Sequence, residues 1–313
     1  KNNNIKENPC SDITGLKTPK KMPRVLSVED IDKLSVAKML KVLEEIRYCS
    51  EYENCIFIVP ISKNILKKAI EVRNAVKELN ADIVIVGSWS ERFWAQTINT
   101  IQNGFVNVHP SLLPKYRGAN PIQRCIYNGD KKTGITTMIT VLELDAGDIC
   151  ETEEITIGEN MTDIELKDII CNKAPKLICT TLEGLYKGSL KPRKQKCDDI
   201  SIARKFTKQD GLIDWNKSSV CIHNQVRSMV DFPCAYTFCN GKMLKIIETR
   251  LIKNSKTEKK CASVIDITKN GIEICTGDGC ILVTKVKPES KGIINAYDFA
   301  NGAKITKETK FGE

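Results

Sequence analysis

The apolar positions change period along the chain. Residues 35–49 place them at helical spacing with few breakers, which predicts an amphipathic helix. Residues 55–59, CIFIV, form a short unbroken apolar run that Pro60 ends, and helical spacing returns over residues 64–79. The run DIVIVG at 82–87, a helical stretch at 91–102 and FVNVH at 105–109 follow. Strands that are apolar throughout, alternating with helices, predict a parallel sheet covered on its faces by helices. Beyond it, GITTMITV at 134–141 is rich in β-branched residues and 149–157 alternates, so the two are read as neighbouring strands. Thr162 and Glu165 have the spacing of a capping box ahead of a helical pattern that ends near Gly188.

The pattern then breaks. Residues 189–204, with KPRKQK at 191–196, are polar and lack periodicity, as a linker does. A helical stretch over 218–230 gives way to five short strand patterns at 235–239, 244–252, 262–267, 272–276 and 281–286. Asn240-Gly241, Asn270-Gly271 and Gly277-Asp278-Gly279 supply turns between them. The predicted architecture is therefore an α/β, Rossmann-like parallel-sheet domain over residues 1–188, a linker over 189–204, and a small OB-like β-barrel over 205–313.

Composition adds three constraints. No run of 18 apolar residues occurs in the 313, so no spanning helix is predicted. The net charge of +9 is unevenly placed: residues 1–187 hold 25 basic and 25 acidic side chains, residues 188–313 hold 23 and 14. A surplus confined to the second domain suits either a polyanionic partner there or a solvated basic surface. Fourteen cysteines are scattered without a CxxC pair, and His109 and His223 are the only imidazoles, so neither a disulfide framework nor a metal site is expected. Walker, GxGxxG and GxSxG patterns are absent, which removes support for nucleotide hydrolysis, dinucleotide redox chemistry and serine hydrolysis.

Ligands of open α/β sheets bind beyond the carboxyl ends of the strands. Asn107 and His109 alternate with Val106 and Val108 at such an end, and Pro110 stops the strand. Ser111, Leu112, Leu113 and Pro114 open a loop whose prolines fix its shape and whose leucines offer an apolar wall. Further on, LDAGDI at 144–149 brings carboxylates to a turn. An amide, an imidazole and a carboxylate can divide oxyanion stabilisation and proton transfer among them. Taken alone, His109 is as readily a buried hydrogen-bonded side chain, and Asp148 a turn former.

The run NVHPSLLPKYRGANPIQR at 107–124, followed by Gly134-Ile135-Thr136 and LDAGDI, resembles the 10-formyltetrahydrofolate-dependent formyltransferases. KFTK at 205–208, GLIDW at 211–215, Val226-Arg227 and Phe232-Pro233 resemble the second domain of the members that act on initiator methionyl-tRNA. The resemblance implies that Asn107, His109 and Asp148 are catalytic, that Ser111, Leu112, Leu113 and Pro114 contact the folate, and that no metal takes part. It implies 10-formyltetrahydrofolate as consumed formyl donor and methionyl-tRNA as acceptor, with Lys205 and Lys208 on the RNA phosphates. A hydrolase of the formyl donor, an amino-sugar formyltransferase and an inactive RNA-binding relative are the alternatives.

The family opens with a strand, a Gly-Thr-Pro turn and a helix, none of which is found before residue 55. The sheet is accordingly expected to lack its first strand-helix unit: either the sequence is a piece of a longer chain or the helix at 35–49 replaces part of that unit. A monomer without membrane association is expected. Abundant Lys, Asn and Ile, and the many cysteines, point to an organelle of bacterial descent, with bacterial cytoplasm as alternative.

Overall fold

The computed structural model describes the backbone of residues 55–58 and 83–87, and residues 105–252 and 259–312. The helices expected at 35–49, 64–79 and 91–102 lie outside the described residues, as do the positions before residue 55 where the first strand-helix unit is expected to be lacking. Strands β1 (Cys55–Ile58), β2 (Ile83–Gly87) and β3 (Phe105–His109) run parallel in that order. Next to β3, β5 (Lys132–Ile139) and then β6 (Ile149–Thr156) add antiparallel, giving the order β1-β2-β3-β5-β6. Among the described residues, the parallel pairing predicted for the sheet thus covers β1–β3 alone.

Helix α1 (Pro121–Tyr127) and the long α2 (Asp163–Tyr186) pack near this sheet. Thr162 accepts from Glu165 N–H while Glu165 returns a bond to the Thr162 backbone, so the capping box read from the sequence starts α2. Cys125, Ile126, Ile135, Leu166 and Ile170 form the buried core between these elements.

In the second domain, Phe206, Ile213 and Trp215 join the core ahead of α3 (Ser219–Ser228), which is capped by Ser218. Strands β8 (Ala235–Cys239), β9 (Lys242–Leu251), β10 (Val264–Thr268), β11 (Gly271–Cys275) and β12 (Cys280–Pro288) form an antiparallel sheet in the order β10-β11-β12-β9-β8. The pairing of β9 with β12 makes a Greek key of it. Asn240 and Gly241 both have positive φ, 51° and 72°, as the tight β8–β9 hairpin requires. The sheet curls, and its two edges are joined by the C-terminal segment: Thr309 and Phe311 bond to β10 and its approach, and Gly312 N–H donates to Phe238 in β8. Phe311 is buried against Trp215, with ring centres 6.1 Å apart. Helix α1, the short α4 (Ala296–Gly302) and the two-residue β13 (Ile294–Asn295) before it are among the elements that had no sequence prediction.

The two domains are bonded to one another. Arg227, buried in α3, donates to the carbonyls of Met161 and Gly158 just before α2. His223 Nε2 donates to the Glu159 carbonyl at 3.2 Å while Nδ1 lies 2.9 Å from Thr249 Oγ1. Asp163 Oδ1 accepts from Val230 N–H. Burial pushes the Asp163 carboxyl up to about 6. Because the folded state binds this proton more tightly than the unfolded chain, its contribution to stability declines as pH rises from the ordinary aspartate range to about 6 and is constant above. Asp163→Asn keeps the acceptor but cannot ionise. Its stability relative to the parent is expected to rise across that window, measured by urea unfolding at a series of pH values.

Candidate active site

Strand β3 sits between the parallel pair and the antiparallel pair, and its carboxyl end carries the site. Asn107 and His109 lie two apart, opposite Met138 and Thr136 of β5, so both side chains leave the same face. Both are buried. The loop that follows is anchored by Thr136: its hydroxyl donates to the Ser111 carbonyl at 2.6 Å and accepts from Leu113 N–H at 3.2 Å. Ser111 Oγ in turn donates to the Lys115 carbonyl.

His109 Nε2 lies 2.9 Å from the Tyr116 carbonyl, which can only accept, so this nitrogen carries the hydrogen. Nδ1 then faces Asp145, whose Oδ2 is 3.7 Å away. Burial pushes the imidazole below its ordinary value, with the Asp145 charge and the Tyr116 carbonyl opposing. A neutral ring in this tautomer sets a lone pair against a carboxylate, and the strain is relieved when one proton enters between them. A proton placed between them would join the two groups, while burial works against its uptake.

Asp145 is held from several sides. Its Oδ2 accepts from Gly118 N–H at 2.7 Å, and its Oδ1 lies 3.5 Å from Asn107 Nδ2. The residue itself sits at φ 48°, a left-handed conformation that aspartate tolerates better than most side chains. The Asn107 amide is loosely engaged, since the contact to Asp145 is at the limit of a hydrogen bond. Its Oδ1 is buried with no hydrogen-bond partner among the described residues. An orphaned buried amide oxygen beside a weakly used N–H is the mark of a group that serves a ligand.

The sequence-based expectation was Asp148 beside His109, and the structure places Asp145 there instead. Asp148 begins the return into β6: its main-chain carbonyl accepts from Ile139 N–H, and its carboxylate makes no hydrogen bond or ion pair among the described residues. The ladder commits Asp148, while the turn preceding it carries Asp145 back over the end of β3. Of the loop residues expected to line the site, Ser111 and Leu113 point inward and are buried, whereas Leu112 and Pro114 keep exposed surface. The turn also exposes Val141, Leu142 and Leu144 at 40, 56 and 46%, an apolar surface that water alone would not favour.

The segment 189–204 is bonded to the first domain along its length. Arg193 and Ile149 exchange backbone bonds, and β7 (Ile202–Ala203) pairs with β4 (Arg117–Gly118). Gln195 was not singled out by the sequence; its Nε2 donates to the carbonyls of Asp145 and Gly147, both at 2.8 Å. Beyond this strap, Lys205 and Lys208 are exposed and form no ion pair among the described residues. Neighbouring Arg204 is instead committed to Asp210. No group of three or more potential metal ligands occurs among the described residues.

The family model described as formyl transferase matches residues 42–182, and that described as formyl transferase, C-terminal domain, matches residues 205–304. The chain is 36% identical over 242 residues to the methionyl-tRNA formyltransferase of Clostridium acetobutylicum, covering 77% of this chain and 78% of that protein. Against the methionyl-tRNA formyltransferase of Clostridium tetani it is 32% identical over 289 residues, covering 92% and 87%. The solved methionyl-tRNA formyltransferase from Clostridium thermocellum superposes with a TM-score of 0.54 at 18% identity, covering 82% of this chain and 98% of that one, and so shares its fold. With both family models matched in order and relatives aligned through both domains, the chain belongs to the methionyl-tRNA formyltransferase family.

Proposed function

We propose that this chain transfers the formyl group of 10-formyltetrahydrofolate to the α-amine of initiator methionyl-tRNA. The observation that carries the reading is the convergence of Asn107, His109 and Asp145 at the carboxyl end of β3, within a chain of this family. The donor set fits. A buried amide with an orphaned oxygen and an underused N–H can bind a polar one-carbon group, and the exposed apolar turn at 141–144 can cover a flat heterocycle.

When bound, the folate supplies a formyl carbon activated by its attachment to nitrogen. Asn107 Nδ2 donates to the oxygen on which negative charge develops as the amine adds. His109 Nδ1 and Asp145 Oδ2 take up the proton that the amine sheds and return it to the departing nitrogen. Gly118 N–H and the Tyr116 carbonyl keep the pair aligned, one holding Asp145 and the other fixing the tautomer of His109. The role that the resemblance gave to Asp148 is thus proposed for Asp145.

The acceptor side rests on charge. Lys205 and Lys208 are exposed, with no ion pair among the described residues, where the strap meets the second domain, which carries the basic surplus. Lys205→Ala combined with Lys208→Ala is expected to raise KM for methionyl-tRNA several-fold with kcat at saturation little changed, as loss of phosphate contacts does. Affinity for the tRNA is expected to fall steeply with added salt, and by a shallower slope in the double variant. An unchanged KM and a flat salt dependence would point to a small acceptor instead. No helix among the described residues is long and apolar enough to cross a membrane, and the relatives described above are bacterial. The reading goes with a monomer working where initiation uses formylated methionine, in an organelle of bacterial descent or a bacterial cytoplasm.

A further inference from the structure

Gln195 occupies an unusual place for a residue of a polar strap. The segment is extended there, so alternate side chains leave opposite sides: Lys194 and Lys196 are exposed, while Gln195 turns in toward the site. All of its side-chain polar atoms are used. Nε2 donates to the Asp145 carbonyl and to the Gly147 carbonyl, pinning the main chain of the turn on both sides of Ala146. Oε1 accepts from Arg117 Nε at 3.0 Å and Nη2 at 2.7 Å. Arg117 is buried and directly precedes Gly118, whose N–H holds the Asp145 carboxylate. One amide therefore ties together the backbone that carries Asp145 and the backbone that holds its carboxylate.

We infer that Gln195 is a positioning residue for formyl transfer, setting Asp145 against His109 by clamping the 145–147 turn to Arg117. This rests on the proposed reading of the site. The physical ground is that Asp145 sits on a left-handed residue in a turn outside the strands, so the place of its carboxylate follows the main chain of that turn, and a displacement of about 1 Å at a reacting group can cost a hundredfold in rate. Neither a solvated linker nor a fold-stabilising contact alone calls for one side chain to bond both halves of the constellation.

Gln195→Leu removes all four bonds, and Gln195→Glu keeps an acceptor for Arg117 while losing both donors to the turn. In the full chain, both variants are expected to lower kcat for formyl transfer about 10- to 100-fold, with KM for methionyl-tRNA and for 10-formyltetrahydrofolate near the parent values. In parallel, hydrogen exchange at the Gly118 amide is expected to accelerate in both, with amides of β11 in the second domain unchanged. The exchange measurement needs no turnover, so it judges the inference even if the parent chain formylates no methionyl-tRNA, an outcome that would defeat the proposed function by itself. An active parent with kcat retained in both variants, or Gly118 protection unaltered in both, would overturn the role of Gln195. Gln195→Glu serves for the whole test if Gln195→Leu does not fold.

Discussion

Asp145→Asn is expected to lower kcat by about a hundredfold or more, while Asp148→Asn, three residues on, stays close to the parent. The substitution at 145 keeps the shape and an oxygen for Gly118 N–H, but removes the charge that faces His109 Nδ1. Without that charge only the Tyr116 carbonyl opposes burial, and the ring's affinity for a proton falls further below the ordinary histidine value. The proton shed by the amine then has no ready acceptor. KM for either substrate should change little, because Asp145 is enclosed by the protein's own groups. At Asp148 the carbonyl, not the carboxylate, is the bonded group, so an amide there leaves the ladder intact. Steady-state kinetics on the two variants side by side checks the assignment, and a reversed order of effects would return the role to Asp148.

The second large effect is expected at Gly147. A Cβ on this residue would collide with the main-chain carbonyl of Ile139 at the end of β5. Backbone cannot rotate out of the way as a side-chain tip can, so Gly147→Ala must push the turn off the strand. The expected loss is about 3 kcal/mol, at the upper end of overpacking costs, read as a lowered urea midpoint. Because Gln195 bonds the Gly147 carbonyl, the same shift should loosen Asp145 and lower kcat in whatever fraction remains folded. Gly188→Ala is the control: a Cβ there meets no neighbouring atom, although φ is 65° and the change carries only local backbone strain.

These two predictions mark where the sequence was and was not legible. Features set by neighbours in the chain were readable: the Thr162–Glu165 box, the Asn240-Gly241 hairpin, and the shared face of Asn107 and His109 on one strand. The choice between Asp145 and Asp148 was not. In LDAGDI either aspartate can top a turn, and what decides is the close approach of Gly147 to Ile139, a contact across the β5–β6 connection. Position 145 also needs a left-handed backbone, which aspartate allows but does not announce. The strap at 189–204 was opaque for a related reason. Its bonds are main-chain pairings and polar side chains such as Gln195 and Ser201, and neither kind leaves a mark in hydrophobic periodicity. Cross-domain bonds from His223 and Arg227 were likewise hidden inside an ordinary amphipathic helix.

The site's chemistry separates transfer from hydrolysis by what the formyl carbon meets. The same three groups would serve a water molecule as well as an amine, and on the proposed reading the basic second domain brings an aminoacylated RNA to them. The most direct measurement is therefore the fate of the label when the purified full chain is given 10-formyltetrahydrofolate labelled in the formyl carbon together with initiator methionyl-tRNA. The label is expected in N-formylmethionine released from the tRNA, with little free formate. Label recovered as formate at the same rate with or without the tRNA would contradict the account.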